Sequence, residues 1–268
     1  MIINHNLNAM NAHRNMSLNN IAQGKSSEKL SSGYRINRAA DDAAGLSISE
    51  KMRTQIRGLN QAAANAQDGV SLVQTAEGAM NEVSDMLTRM KELAVKASNG
   101  TYNTSDLKAM DEEFQALTNA IDDIANKTTF NGITMLNQSA SISIQIGNNA
   151  ADSVAVTTQN ITKAGLTLTG DVTTSVNANA ALKNIDDAIG KVNKARSEFG
   201  AVQNRLEHVF NNLSTTSENL QAAESRIRDT DMAKEMMNYT KLNILQQASN
   251  SMLAQANQAP QGVLQLLR

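Results

Sequence analysis

The stretch Ser105–Lys127, SDLKAMDEEFQALTNAIDDIANK, decides the fold class. Its apolar residues Leu107, Met110, Phe114, Leu117, Ile121 and Ile124 alternate spacings of three and four. That repeat holds one apolar seam on one face and writes a helix made to pack along other helices. The same spacing returns through Leu182, Ile185, Ile189 and Val192. Between them, from about Asn137 to Asn179, the chain turns to Ser, Thr, Asn and β-branched residues. Long helices that leave and return suggest a rod, and a rod suggests assembly rather than chemistry.

Toward the amino end, residues 45–98 form the longest periodic segment. Met52, Ile56, Leu59, Ala63, Ala66, Val70 and Val73 mark its seam, and Val83, Leu87, Met90 and Ala94 extend it with a drift in phase. A helix of this length rises roughly 80 Å. Gly58, Gly69 and Gly78 each cost roughly 1 kcal/mol against Ala in a helix interior. Packing must override that cost, so close backbone approach is expected there. Residues 1–30 read as a helix with a narrow stripe of Ile3, Leu7, Met10, Leu18 and Ile21. Ser31-Ser32-Gly33 makes a turn, and Asp42 is placed to cap the next helix with its carboxylate. Asn99-Gly100-Thr101 is a stop signal.

Toward the carboxyl end, Thr129-Phe130-Asn131-Gly132-Ile133 reads as a turn leading into a strand. Three short strands are predicted from alternation: Ile142, Ile144 and Ile146, then Val154 and Val156, then Leu166 and Leu168. Residues 179–227 return as a long helix, with Phe199, Leu206, Phe210, Leu213 and Leu220 continuing the seam. After Asp229-Thr230-Asp231 a last helix runs to about Gln258, striped by Met232, Met236, Tyr239, Leu242, Leu245, Met252 and Leu253. Pro260 and Gly262 are expected to interrupt it. The fold class expected is mainly α, an elongated antiparallel long-helix bundle or coiled coil with small β-hairpins in the middle of the chain.

Composition narrows the function. Among 268 residues aromatics are 3%, Trp is absent and Pro occurs once. Ala, Leu, Ile, Val and Met fill thin helical seams well and a thick core poorly. The net charge of -2 gives no global field for nucleic acid. Arg14, Lys25, Lys29, Arg35 and Arg38 form a local basic bias that reads as a solvated helix face and loop. The absence of Cys excludes disulfides, zinc thiolates and cysteine nucleophiles. No apolar run approaches the roughly 20 residues that span a bilayer. The polar stretch Met1–Asn20 lacks the apolar core of a secretory signal, so any export is expected to use another route.

No catalytic set emerges, and no cofactor or metal is expected. His5 and His13 lie about two turns apart on a helix, too far to share a metal. Asp41-Asp42 and Asp122-Asp123 are adjacent carboxylates, and adjacent helical residues diverge by about 100°. Capping and solvation suit them better than acid–base work. Most of the thirteen Met residues sit on seams, where packing within or between subunits explains them. The sequons Asn15-Met16-Ser17 and Asn99-Gly100-Thr101 carry little weight in a chain so rich in Asn, Ser and Thr. The terminal stripes are sharper. Neither buries enough area alone to offset its ordering entropy. Each is expected to fold on pairing with the other and with copies of the chain, and a repeated heterologous contact generates a helical filament.

The two ends carry a resemblance. Ile2-Ile3-Asn4-His5-Asn6-Leu7-Asn8-Ala9 and Leu30-Ser31-Ser32-Gly33-Tyr34-Arg35-Ile36-Asn37-Arg38-Ala39-Ala40-Asp41-Asp42-Ala43-Ala44-Gly45-Leu46 closely resemble the amino-terminal signature of bacterial flagellin. Gly200–Leu206, Ala223–Asp229, Asp231-Met232-Ala233, Gln255–Gln258 and Leu264–Arg268 resemble its carboxyl-terminal signature. The likeness spans roughly residues 1–137 and 180–268.

The resemblance implies a subunit of the extracellular flagellar filament. It implies export through the flagellar type III apparatus without a cleaved signal, a chaperone on the last helix, and growth beneath a filament cap as a homopolymer joined to hook–filament junction proteins. Residues 1–44 and 229–268 would form the innermost coiled coil, with Leu7, Met10, Ile21, Leu242, Leu245, Met252, Leu253, Leu264 and Leu267 packing the filament core. Residues 45–137 and 179–228 would form the surrounding helical domain, and 138–178 a short β-hairpin region where relatives carry a variable outer domain. It further implies recognition by a host Toll-like receptor through Arg89 and Leu93, with Glu113 on the next helix, and Lys96 standing where the family often has Gln. Neither nucleic-acid binding nor membrane insertion is implied. Two other readings are open. A hook–filament junction protein shares similar ends and export. A helical signalling rod, such as a chemoreceptor cytoplasmic domain, leaves the insert and the end signatures unexplained.

Overall fold

The computed structural model describes residues 5–266, and the side chains of residues 5–259. Five helices and two small hairpins follow in the order α1 (Leu7–Ser32), α2 (Ala43–Ala97), α3 (Thr104–Lys127), β1 (Thr129–Phe130), β2 (Ile133–Thr134), β3 (Ser141–Gln145), β4 (Ser153–Thr157), α4 (Ser175–Arg228) and α5 (Met232–Leu266). The class is mainly α. The chain divides into two compact units, Met1–Thr54 with Asn219–Arg268, and Gln55–Glu218.

The core of Gln55–Glu218 is written by a repeat of 3.5 residues. In α2 the most buried positions are Ala62, Ala66, Gly69, Val73, Ala76, Met80, Val83, Leu87, Met90, Ala94 and Ala97. The alternation of four and three never breaks, so the drift expected from the larger side chains is absent. Small residues, above all Ala62 and Gly69, carry the seam where Ala63 and Val70 were expected to. In α4 the seam runs through Ala178, Ala181, Ile185, Ala188, Val192, Ala195, Phe199, Leu206 and Leu213. Leu182 and Ile189 flank it and are half-buried. In α3, Met110, Phe114, Thr118, Ile121 and Ala125 are buried, while Leu117 and Ile124 flank them. The buried stripe of α3 thus takes Thr118 and Ala125 where Leu117 and Ile124 were expected.

Gly69 meets its expectation. A Cβ there would stand 2.5 Å from Ile144 Cδ1, so its absence lets β3 press onto α2. At Gly58 a Cβ would collide with the Asn148 carboxamide. Gly78 has nothing within 4 Å and serves no close approach.

The turn predicted at Asn131-Gly132 forms, and it joins β1 and β2 into a hairpin. Both residues take positive φ, 49° and 77°, as a two-residue turn matched to strand twist requires. β3 and β4 pair antiparallel with Ile144 opposite Val154 and Ile142 opposite Val156. The third predicted strand does not exist. Leu166 and Leu168 are buried, but in a turn where their N–H groups donate to the carbonyls of Thr162 and Lys163. Thr167 between them adopts φ 58°. Side chains tie this segment down: Asp122 accepts from the Lys163 N–H, Asp111 from the Val172 N–H, and Gln115 donates to the Gly170 carbonyl. Those bonds satisfy the backbone that a strand would otherwise have paired.

In the other unit, α1 and α5 pack along each other antiparallel, as the bonds Asn6–Ala256, Asn19–Ser249 and Ser26–Glu235 show. Asn6 caps α1 by accepting from the Ala9 N–H, and Gly33 ends it at φ 74°. Asp42 caps α2 as predicted, accepting from the Gly45 N–H at 2.8 Å. α5 does not stop at Gln258 but continues through Pro260 to Leu266. Proline removes the donor that the carbonyl four residues back would receive, and that carbonyl has another partner. That partner is Asn6 Nδ2, 2.7 Å from the Ala256 oxygen.

Candidate functional site

Two surfaces could act on other molecules, and a joint holds the terminal unit in shape. The first surface is a cleft between α2 and α3, lined by Arg89, Glu92, Leu93, Lys96, Tyr102 and Glu113. The heptad phase turns Met90, Leu93 and Ala94 inward, which leaves Arg89, Glu92 and Lys96 at the rim. Arg89 Nε donates to Glu113 Oε1 at 2.9 Å and its Nη1 to Glu92 Oε2 at 3.0 Å. These bonds, Glu113 first, push the guanidinium pKa above its ordinary value, so the site keeps a fixed positive charge flanked by two carboxylates. The three side chains remain about half exposed, at 51%, 63% and 45% for Arg89, Glu92 and Glu113. Leu93 differs: it is 4% exposed and forms the cleft floor as part of the chain's own core. The Lys96 ammonium lies over the Tyr102 ring at 5.6 Å.

The second surface belongs to the helix pair. The face of α1 turned to α5 carries mostly small or polar residues, with Ala9, Ala12, Met16, Asn19, Gln23 and Ser26 half-buried or buried. The facing residues of α5 are Glu235, Tyr239, Leu242, Gln246, Ser249, Leu253 and Ala256. Hydrogen bonds across such a seam contribute about 1 kcal/mol each, against about 1–2 kcal/mol of entropy for every residue ordered. The apolar stripes lie outside it: Leu7, Met10, Leu18 and Ile21 on α1 are about 60% exposed. On α5, Met232, Met236, Met237, Ile244, Leu245 and Met252 are exposed as well. Burying each would contribute about 1.5–3 kcal/mol. Of the residues expected to pack a filament core, Leu7, Met10, Ile21, Leu245 and Met252 thus face outward. Leu242 and Leu253 are half-buried against α1. The Leu264 side chain and all of Leu267 lie outside the described residues.

The joint lies where the α1–α2 loop meets the α4–α5 turn. Tyr34 bridges to Asp229, the Arg35 N–H donates to the Arg228 carbonyl at 2.7 Å, and the Thr230 N–H donates to the Gly33 carbonyl at 2.9 Å. Arg228, with only 12% of its side chain exposed, stacks over the Tyr34 ring at 5.0 Å and pairs with Glu50. That bond holds the Glu50 carboxyl below the ordinary carboxylate range. Asp41 is likewise held low, first by the Arg38 N–H. Beneath the loop, Ile36 is buried; a Cβ on Gly45 would stand 2.8 Å from its Cδ1.

Among the described residues no group of His, Asp and Glu could hold a metal ion, and no helix is long and apolar enough to cross a membrane. A family model of the bacterial flagellin N-terminal helical region matches residues 3–141, and one of the C-terminal helical region matches residues 182–267. The chain belongs to the flagellin family. It is 55% identical over 275 residues to a flagellin of Halalkalibacterium halodurans and 49% identical over 304 residues to one of Bacillus subtilis, covering all of both chains in each case. The crystal structure of Bacillus cereus flagellin matches with a TM-score of 0.51 at 34% identity, over 60% of this chain and 94% of that one. The subunit is therefore a structural component of the extracellular flagellar filament, which self-assembles and associates with other flagellar proteins, and it is not an enzyme. The signalling-rod reading falls with this finding.

The joint explains what the flagellin-like signatures do physically, which sequence reasoning missed. Leu30–Leu46 and Ala223–Asp229 resemble the family at opposite ends of the chain, and they meet in one knot of backbone and guanidinium bonds. The signal available was Tyr34 with Arg228, an aromatic in the α1–α2 loop and a cation at the end of α4.

Proposed function

We propose that the subunit is delivered unfolded through the flagellar type III export apparatus by an uncleaved amino-terminal region, after a chaperone has held α5. It is then added beneath a filament cap, onto a filament anchored through hook–filament junction proteins. Residues 1–44 and 229–268 form the innermost layer, and residues 45–228 surround it, with 138–178 as the small outer hairpin region. The observation that carries this reading is the outward stripe of Leu7, Met10, Ile21, Leu245 and Met252 on a helix pair whose own seam mixes polar side chains with few large apolar ones. Such a pair orders fully only when copies of itself cover the stripe. Ile21→Asp places a charge on the stripe at a residue 59% exposed in the subunit. It should leave the circular dichroism and melting of the subunit unchanged while raising the concentration needed for seeded growth by at least tenfold, the equivalent of about 1.4 kcal/mol. Growth at the unaltered concentration would remove Ile21 from the core.

The same reading assigns recognition by a host Toll-like receptor to the cleft between α2 and α3. Arg89 and Glu113 offer exposed charge there, and Leu93 supplies the floor beneath them. Arg89→Ala should lower potency in receptor reporter cells by roughly tenfold, since a charge-assisted bond contributes about 1.5–3 kcal/mol. An unchanged dose–response curve would dismiss Arg89.

A further inference from the structure

We propose that the Asn6 carboxamide sets the lengthwise register of the terminal helix pair by filling the hydrogen-bond position that Pro260 leaves empty. In an unbroken helix the N–H of residue 260 would donate to the Ala256 carbonyl. Proline has none to give. α5 nevertheless runs through this point to Leu266. Asn6 Nδ2 supplies the missing donor at 2.7 Å, from the far end of the chain.

The other end of the same group is also engaged. Asn6 Oδ1 accepts from the Ala9 N–H at 3.1 Å and so caps α1. One planar side chain closes the first turn of α1 and mends the gap in α5. A carboxylate accepts but cannot donate, a hydroxyl is too short to reach two helices in opposite directions, and the longer glutamine is not among the favoured helix caps. The remaining cross-pair bonds, Asn19 to Ser249 and Ser26 to Glu235, join side chain to side chain and adapt to small shifts. The Ala256 bond is anchored to backbone. A slip of one heptad would bring Asn6 to residue 249, whose carbonyl already receives the N–H of Leu253 within the helix. Within the body of α5, before its last turn, Ala256 is the carbonyl whose helical donor proline removes. Asn6 is thus a positioning residue, and Pro260 is what gives it a unique address. The inference rests on the helix pair and not on the export or receptor readings.

The test is a two-by-two set in the full-length chain: the parent, Asn6→Asp, Pro260→Ala and the double variant, each grown into filaments. Asn6→Asp keeps the cap acceptor and loses the donor. In the parent background it should speed amide exchange over residues 253–266 roughly fivefold, the factor that about 1 kcal/mol of lost hydrogen bond gives. In the Pro260→Ala background residue 260 donates its own N–H, and the same change should do less than about twofold. Equal effects in both backgrounds, or none in either, overturn the proposal. Should Asn6→Asp stop growth altogether, growth restored in the double variant supports it, and continued failure overturns it.

Discussion

A chain ending at Arg228 is expected to grow no filaments while keeping the unit Gln55–Glu218 folded. The truncation removes all of α5, against which α1 packs. It leaves the polar face of α1 without Ser249, Glu235 or the Ala256 carbonyl to bond. A lone helix of 26 residues with that face has no apolar gain to set against ordering costs of about 1–2 kcal/mol per residue. It should unravel, and the outward stripe that copies would cover goes with it. The buried core is untouched, because every residue of the main apolar cluster, from Leu72 to Leu206, lies within Gln55–Glu218. Light scattering after seeding with filament fragments should stay flat, while thermal melting of the truncated chain should still show one cooperative transition. Seeded growth at the rate of the full chain would refute the assembly role of α5.

The second large effect is Leu87→Ala. Leu87 is fully buried midway along the α2 seam. Removing it deletes apolar contact and leaves a hole that stiff helices close poorly, which costs about 2–5 kcal/mol. For a unit of this size about 1 kcal/mol lowers the melting temperature by roughly 2–4 °C, so a fall of roughly 7–14 °C is expected for a mid-range cost. Val95→Ala, on the same helix but 52% exposed, should shift it by less than about 2 °C. Similar shifts for both would mean that the seam is not what holds the unit together.

The seams were legible because period is a property of sequence alone. Leu107 to Ile124 and Val83 to Ala94 announce helices, and Asp42 and Asn131-Gly132 announce a cap and a turn that local chemistry dictates. The sequence misled where small residues carry the packing. Ala62, Gly69, Ala181 and Ala188 are buried on the seams, yet residues so small give a weak signal in a search for apolar stripes. It misled again where distant groups rescue a local rule. Leu166 and Leu168 alternate like a strand but are folded into a turn by Asp122, Asp111 and Gln115 on α3. Pro260 ought to end a helix and does not, and the Ala256 carbonyl it leaves without a donor is met by Asn6, 250 residues away in sequence. At the cleft, Arg89 and Glu113 were legible as a charged pair, but the burial of Leu93 could be read only from the phase of the α2 seam.

The division of the chain has a kinetic consequence. One unit is made from the middle of the sequence and the other from its two ends. The α2 seam cannot close until α4, beginning at Ser175, is present, and α1 must wait for α5. A chain that emerges one end first therefore exposes long apolar stripes before their partners arrive, and the pairings that matter most have high sequence separation. The middle unit can close first, and the ends can only close last. Loop closure itself costs little extra for added length, about 0.6 kcal/mol per doubling. The segment between β2 and α4 can therefore be lengthened at small thermodynamic cost, and the delay before the seams meet is what any insertion there would change.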